Sequence, residues 1–286
     1  MTQLSLGQLA TLACLMEVSA PKPGNVHRGA DFDDLKLDDF QASAVAIGPA
    51  FDAARDQGIG VTILTAMRAT QAVVSTNTNL GLLLLMAPLA RSSAMDQAAV
   101  QSVLDSLTEQ DSHDVYGAIS LASAGGLGRQ QEMDVGGPPP RSLLEAMQHA
   151  QDRDLIAAQY VNGFQQLFED AVVPLRKKIE KQVPLPAAIV QTHVQFMSLH
   201  VDSLISRKCG MEVAHEATQR AQKVLRTYNQ DKENYESAVG ELDFWLRSDG
   251  HRRNPGTTAD FIGAAIFVGL IDGWITQRSV ASSDGK

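Results

Sequence analysis

NPGTTADFIGAAIFVGLIDGW, residues 254–274, is the stretch on which the fold turns. Pro255 and Gly256 interrupt whatever precedes them, Thr257 stands where a helix cap belongs, and Asp260 follows three residues later in capping-box register. The continuation FIGAAIFVGLI has neither a charge nor a polar stripe. A helix that is apolar all round either crosses a membrane or is packed on every side by other elements. This run, like LGLLLLMAPLA at 80–90, is about half of a bilayer-crossing length. Both are therefore expected to be buried helices at the centre of a large core.

The rest of the chain supplies helices to surround them. Apolar residues recur at three and four positions, which predicts helices over 6–19, 37–55, 60–74, 80–89, 94–107, 111–124, 143–150, 153–181, 186–206, 212–229 and 232–247. The prolines of PKPG end the first. Ser43, Ala44, Ala46 and Ala50 are small enough to let the second pack closely, and Val172, Val173 and Pro174 predict a bend in the longest. No alternating strand pattern of useful length occurs, and there is no repeat of constant spacing. The expected fold is all-α, a single compact multi-helical catalytic domain over residues 1–278 with a flexible tail at 279–286.

Composition narrows the function classes. The chain has 286 residues, 44% of them hydrophobic, with 24 basic against 33 acidic side chains and a net charge of −9. No broad cationic surface is implied, so nucleic acid is not an expected partner. Cys14 and Cys209 sit singly in apolar helical patterns rather than in metal-ligand spacing, as suits a reducing compartment. The N-terminal run lacks a basic leader and is interrupted by Glu17. A cytoplasmic protein with no membrane partner is expected, and a homodimer is compatible with it.

Four polar segments at 20–34, 75–79, 109–134 and 248–260 place glycine, asparagine and aspartate beside helix starts. If these helix ends converge, they offer backbone donors, amides and carboxylates in one small volume. In PKPGNVHRGADFDD, Lys22 and Arg28 could neutralise phosphates, Gly24 lets the backbone approach, and His27 could bond or move a proton. Asp31, Asp33 and Asp34 could hold magnesium through oxygen, although an aspartate here could equally cap the helix at Leu37. Asn77 and Asn79 in STNTNLG offer paired donors and acceptors; one cap does not require two asparagines. Gly81 leaves room at the helix surface. Asp111 and Asp114 read first as a cap and a first-turn acid. Gly125, Gly126 and Gly128 suit a phosphate cradle but match neither a Walker nor a dinucleotide-binding spacing. Asp134, beyond the glycines, suits a metal or a sugar hydroxyl. His193 and His200 lack a compact third ligand for zinc. Arg247, Arg252 and Arg253 form a local basic cluster within an acidic chain, followed by Gly256 and Asp260.

These segments resemble the triphosphoribosyl-dephospho-CoA synthase family. The matching residues are KPGNV at 22–26, NTNLG at 77–81, YGAISLASAGGLG at 116–128 with DV at 134–135, and NPGTTADFIG at 254–263, in the family's order across nearly the whole chain. The resemblance implies an all-α enzyme that joins the triphosphorylated ribose of ATP to the 2′-hydroxyl of 3′-dephospho-CoA and expels adenine. It implies Mg2+ as cofactor, and ATP with dephospho-CoA or another small phosphorylated acceptor as partners. Asp31, Asp114, Asp134 and Asp260 become the acidic catalytic core, with Asp31, Asp134 and Asp260 as metal ligands. Lys22, Arg28 and Arg252 or Arg253 oppose the triphosphate; Gly24, Asn25, His27, Asn77, Asn79, Gly125, Gly126, Asn254 and Gly256 complete the nucleotide site. Two departures mark a divergent member: Asn79 and Leu80 replace a histidine and a lysine usual in the family, and Asn254 to Thr258 replaces its serine, proline, glycine, glycine, serine turn. Two further readings stay open: a related magnesium-dependent transferase in methanofuran or methanopterin cofactor synthesis, and a non-catalytic nucleotide-binding helical protein.

Overall fold

A computed structural model describes residues 4–124, 139–228 and 232–276. Helix α1 (Leu6–Ser19) opens on a capping box in which Ser5 and Gln8 satisfy one another's backbone donors, and it stops just before Pro21. Next come α2 (Leu37–Ala46), α3 (Gly48–Asp52), α4 (Ile59–Val73), α5 (Leu80–Arg91), α6 (Gln97–Asp105) and α7 (Glu109–Ala124). After the gap follow α8 (Leu143–Ala150), α9 (Leu155–Asn162), a π-helical turn at Leu167–Val172, α10 (Val173–Glu180), α11 (Leu185–Leu199) and α12 (Ser203–Cys209). The chain closes with α13 (Met211–Tyr228), α14 (Lys232–Arg247), a four-residue extended segment β1 (Ser248–His251) and α15 (Gly256–Ile271). Apart from β1, the described residues show only isolated bridges, His27 with Ala30 and Phe32 with Leu35, so the fold is all-α as expected.

Three of the expected helices are divided, each for a local reason. The segment 37–55 breaks between α2 and α3, where Pro49 enters the first turn of α3 and cannot continue the preceding ladder. The segment 153–181 breaks at Gly163, left-handed with φ of 68°, before the π-helical turn leads into α10. The segment 186–206 stops at Leu199; His200 is extended, and Asp202 caps a new helix by accepting from the Leu204 and Ile205 amides. Residues 109–124 of the third polar segment are helix, and the remainder of that segment lies outside the described residues.

Helix α15 sits where its composition requires. Phe261, Ile262, Ala264, Ala265, Ile266, Phe267 and Val268 are fully buried, enclosed by α1, α5, α11, α12 and the π-helical turn. Phe267 meets Phe51 edge-on at 6.0 Å, and Phe261 stacks obliquely on Phe196 at 4.6 Å. Each such ring contributes about 1.5–3 kcal/mol by leaving water. A second apolar cluster joins α11 through α14 around Ile205, Ala217, Ala221 and Leu246. Helix α11 belongs to both: Ile189 and Phe196 face the main core, Val194 and Met197 the second.

Candidate active site

The first and last polar segments meet although they are more than two hundred residues apart. Gly24 takes φ of 78° and its amide donates to Asp243 Oδ1 at 2.7 Å. A Cβ there would lie 2.8 Å from both Leu246 and Pro255, so only glycine fits. The next residue, Asn25, donates from Nδ2 to Asn254 Oδ1 at 2.5 Å, and Arg247 donates to the Asn25 carbonyl. The start of α15 is satisfied from outside its own sequence. Thr257 does not cap it: its Oγ1 accepts from Ser203 and from the Leu204 amide. Asp202 instead takes the Thr258 amide and hydroxyl on Oδ2, both at 2.8 Å, while its Oδ1 caps α12.

The second polar segment enters from α5. Asn77 Oδ1 accepts from the Asn79 and Leu80 amides, and Asn79 Nδ2 donates to Thr70 of α4 at 3.0 Å. Behind them, Gly81 passes so close to Asp260 that a Cβ would lie 2.0 Å from Oδ2. The missing side chain lets the N-terminus of α5 press on that carboxylate. Burial pushes Asp260 well above the ordinary carboxylate range, reinforced by Glu17, Asp202 and Asp154 and only partly opposed by the Leu82 amide.

These ends enclose a cleft of about 940 Å3. Asn25, Asn77, Asn79, Arg252, Asn254, Gly256 and Asp260 line it, and so does Leu80, where the family usually has lysine. Lys22 does not reach it. It is fully buried, pairs with Glu17 Oε1 at 2.9 Å and donates to the carbonyls of Glu17 and Ala20, so all three of its protons are engaged below the floor. Asp31 caps α2 through the Leu37 amide at 2.8 Å. Asp114 packs against Gly60 at the contact of α4 with α7 and accepts from Gln110. His27 accepts from the Gly29 amide, and burial, with Arg247 nearby, lowers its pKa; Arg28 is exposed, and neither lines the cleft. Arg253 lies over the Trp245 ring at 4.6 Å. Gly125, Gly126 and Asp134 lie outside the described residues.

Asp34, weighed in the sequence as a magnesium ligand, lines the cleft. The structure also brings in groups that sequence reasoning passed over: Glu17, Asp154, Arg207, Lys208 and His251 all line the cleft. A signal existed for Glu17: a lone charge in an apolar helix, five residues before a lysine, demands a buried partner. Nothing comparable marks Asp154, Arg207 or Lys208, which look like ordinary helix-terminal charges. His193 is fully buried and His200 lies 2.9 Å from Asp170, and among the described residues no three His, Cys, Asp or Glu side chains cluster as a metal site.

A large cleft of mixed charge, walled by helix ends in an all-α scaffold, is the kind of site that takes a small molecule. The chain belongs to the CitG family of ATP:dephospho-CoA triphosphoribosyl transferases, whose model matches residues 3–279, and it is a transferase of that family. It is similar to a crystal structure from Archaeoglobus fulgidus, provisionally described as a triphosphoribosyl-dephospho-CoA synthase, at 27% identity and a TM-score of 0.61. That match covers 82% of this chain and 99% of the other. No curated protein matches the chain. No helix among the described residues is long and apolar enough to cross a membrane.

Proposed function

We propose that this chain transfers the triphosphoribosyl group of ATP to the 2′-hydroxyl of 3′-dephospho-CoA with release of adenine. The observation that carries this reading is the convergence of Asn25 and Val26 of KPGNV with NTNLG and NPGTTAD on one cleft that also holds the carboxylates Glu17 and Asp260. At ribose C1′ the bond to adenine breaks and adenine leaves with the electron pair, to be protonated. The acceptor oxygen bonds to C1′ and gives up its proton. Positive charge develops on the sugar between these events, so a fixed carboxylate facing it lowers the barrier. Glu17, oriented by Lys22, is suited to that place or to taking the hydroxyl proton. Asn77 and Asn79, held by α4 and α5, orient the nucleotide. Lys22 is thus a positioning residue rather than a phosphate ligand.

Of the three expected magnesium ligands, Asp260 fits, Asp31 does not, and Asp134 lies outside the described residues. Mg2+ commonly takes one or two carboxylates and fills its shell with substrate phosphates and water. Asp260, crowded by three other carboxylates, suits such a cation, whereas Asp31 is committed to α2. When bound, the ion would offset the phosphate charge beside these acids. Incubation with magnesium, ATP and 3′-dephospho-CoA, read by mass spectrometry, is expected to give both adenine and the coupled product. Nucleotide binding with neither product would overturn the proposal. The one-carbon-cofactor and non-catalytic readings find no support in the comparisons.

A further inference from the structure

Part of the cleft wall is built from the end of α12 and from β1 with the residue that follows it. Arg207, Lys208, His251 and Arg252 all line the cleft there, in a chain of net charge −9. Two ties fix the pieces to one another. The Arg252 guanidinium donates to the Lys208 carbonyl at 3.2 Å, and the Cys209 thiol donates to the Arg252 carbonyl at 3.4 Å. Cations from two separate segments are thereby held side by side, at a Coulombic cost.

Their neutralisation is incomplete. His251 is matched by Asp34 at 2.8 Å, but Arg207 reaches Asp154 only at 3.9 Å and Arg252 reaches Asp249 only at 3.5 Å. The Lys208 ammonium has neither a hydrogen bond nor an ion pair among the described residues. Burial, and then the charge of Arg207, lower its pKa below the ordinary lysine value. An anion at this wall would oppose both by favouring the charged ammonium. Of the other basic candidates, Lys22 is committed to Glu17, Arg247 to Asp243 and Arg253 to the Trp245 ring, and exposed Arg28 does not line the cleft.

We propose that Lys208, with Arg207 and Arg252, forms a subsite for a linear polyphosphate, supplied by the triphosphate of the nucleotide donor or by the diphosphate of the acceptor. The identity of that polyphosphate rests on the function proposed above; the existence of the subsite does not. The test is calorimetric titration of the full chain with inorganic tripolyphosphate, for wild type, Lys208→Gln, Arg252→Gln and the surface control Arg176→Gln, each checked for retained helicity by circular dichroism. Lys208→Gln is expected to weaken binding at least tenfold, Arg252→Gln severalfold, and Arg176→Gln, with the same change in net charge, less than twofold. Absence of tripolyphosphate binding in wild type at millimolar concentration, or equal binding by a folded Lys208→Gln, would overturn the subsite. In turnover assays, a raised KM for ATP assigns the subsite to the donor and a raised KM for dephospho-CoA to the acceptor; if neither moves, the subsite is wrong. Tripolyphosphate titration needs no turnover. A wild type that releases adenine while Lys208→Gln binds tripolyphosphate normally therefore removes the subsite and leaves the function standing, and loss of binding without adenine release does the opposite.

Discussion

Lys22 separates two meanings of a conserved-looking positive charge. As a phosphate ligand it would sit in solvent, and its loss would cost activity and little stability. Buried with its three donors engaged, it balances Glu17, whose side chain is only 10% exposed. Breaking a buried ion pair costs about 3–5 kcal/mol because the remaining charge has no partner. Lys22→Met should therefore lower the denaturant midpoint by that equivalent, and an unchanged midpoint would return the lysine to the surface role. Gly81 makes a second test. Alanine raises helix propensity by up to about 1 kcal/mol, yet its Cβ must displace Asp260 or Ile156. Gly81→Ala should keep the helical circular dichroism while kcat falls about a hundredfold, since a misplacement near 1 Å has that effect. Asp260 itself gives a pH test. Its pKa is raised on folding, so between the ordinary carboxylate range and that raised value the native state holds more protons than the unfolded state. Stability therefore falls as pH rises through that window. Asp260→Asn does not titrate, and in EDTA its melting temperature should gain on that of wild type as pH rises above the ordinary carboxylate range; a shrinking margin would contradict the crowding. The same variant should lose turnover.

At the scale of elements, two helix starts receive a carboxylate from a distant part of the chain. Asp202 caps α12 with one oxygen and the first turn of α15 with the other, and the Asp260 carboxylate lies against Gly81 in the first turn of α5. Each helix start carries amides without intrahelical partners, and these borrowed carboxylates also lie along the macrodipoles. Asp202→Ala removes two caps at once and should cost about 2–3 kcal/mol, from about 1 kcal/mol per cap and the loss of the Thr258 hydroxyl bond. Equilibrium unfolding measures this, and a loss below about 0.5 kcal/mol would mean that α15 is held by packing alone. The divided helices teach a related lesson. The expected helix over 37–55 ran through Pro49, although a proline inside a periodic run removes a donor and marks a break. The end of α11 at Leu199 carries no such mark, because its apolar spacing runs on without interruption and only the docking of Asp202 against Thr258 shows why a new helix starts there.

Across the whole molecule, α11 binds the two apolar clusters together, and the cleft takes walls from α1, α5, α12 and α15. Neither cluster can lose α11 without exposing the other. Urea unfolding followed by far-ultraviolet circular dichroism and by tryptophan fluorescence should accordingly give one coincident transition, with Trp245 packed against the second cluster and Trp274 against the main one. Two separated transitions would show that the clusters unfold independently. A ligand spanning these walls should raise the melting temperature, by the equivalent of about 2.7 kcal/mol at a hundredfold excess over Kd.

Much of this protein was decided by the order of its side chains alone. FIGAAIFVGLI has no polar face in any helical register, so it had to be surrounded, and the three- and four-residue spacing elsewhere allowed only helices to do so. The glycine and asparagine motifs likewise placed Asn25, Asn77, Asn79, Asn254 and Asp260 among the candidates. What the sequence could not contain is which face of a loop turns inward. Lys22 and Arg252 are both cationic and equally close to glycine, yet one is sealed beneath Glu17 and the other lines the cleft. Lys208 has no motif at all; its exposure to the cleft follows from where α12 ends against Arg252. Burial and charge pairing are properties of neighbours in space, and contacts such as Asn25 with Asn254 exist only once the chain has closed.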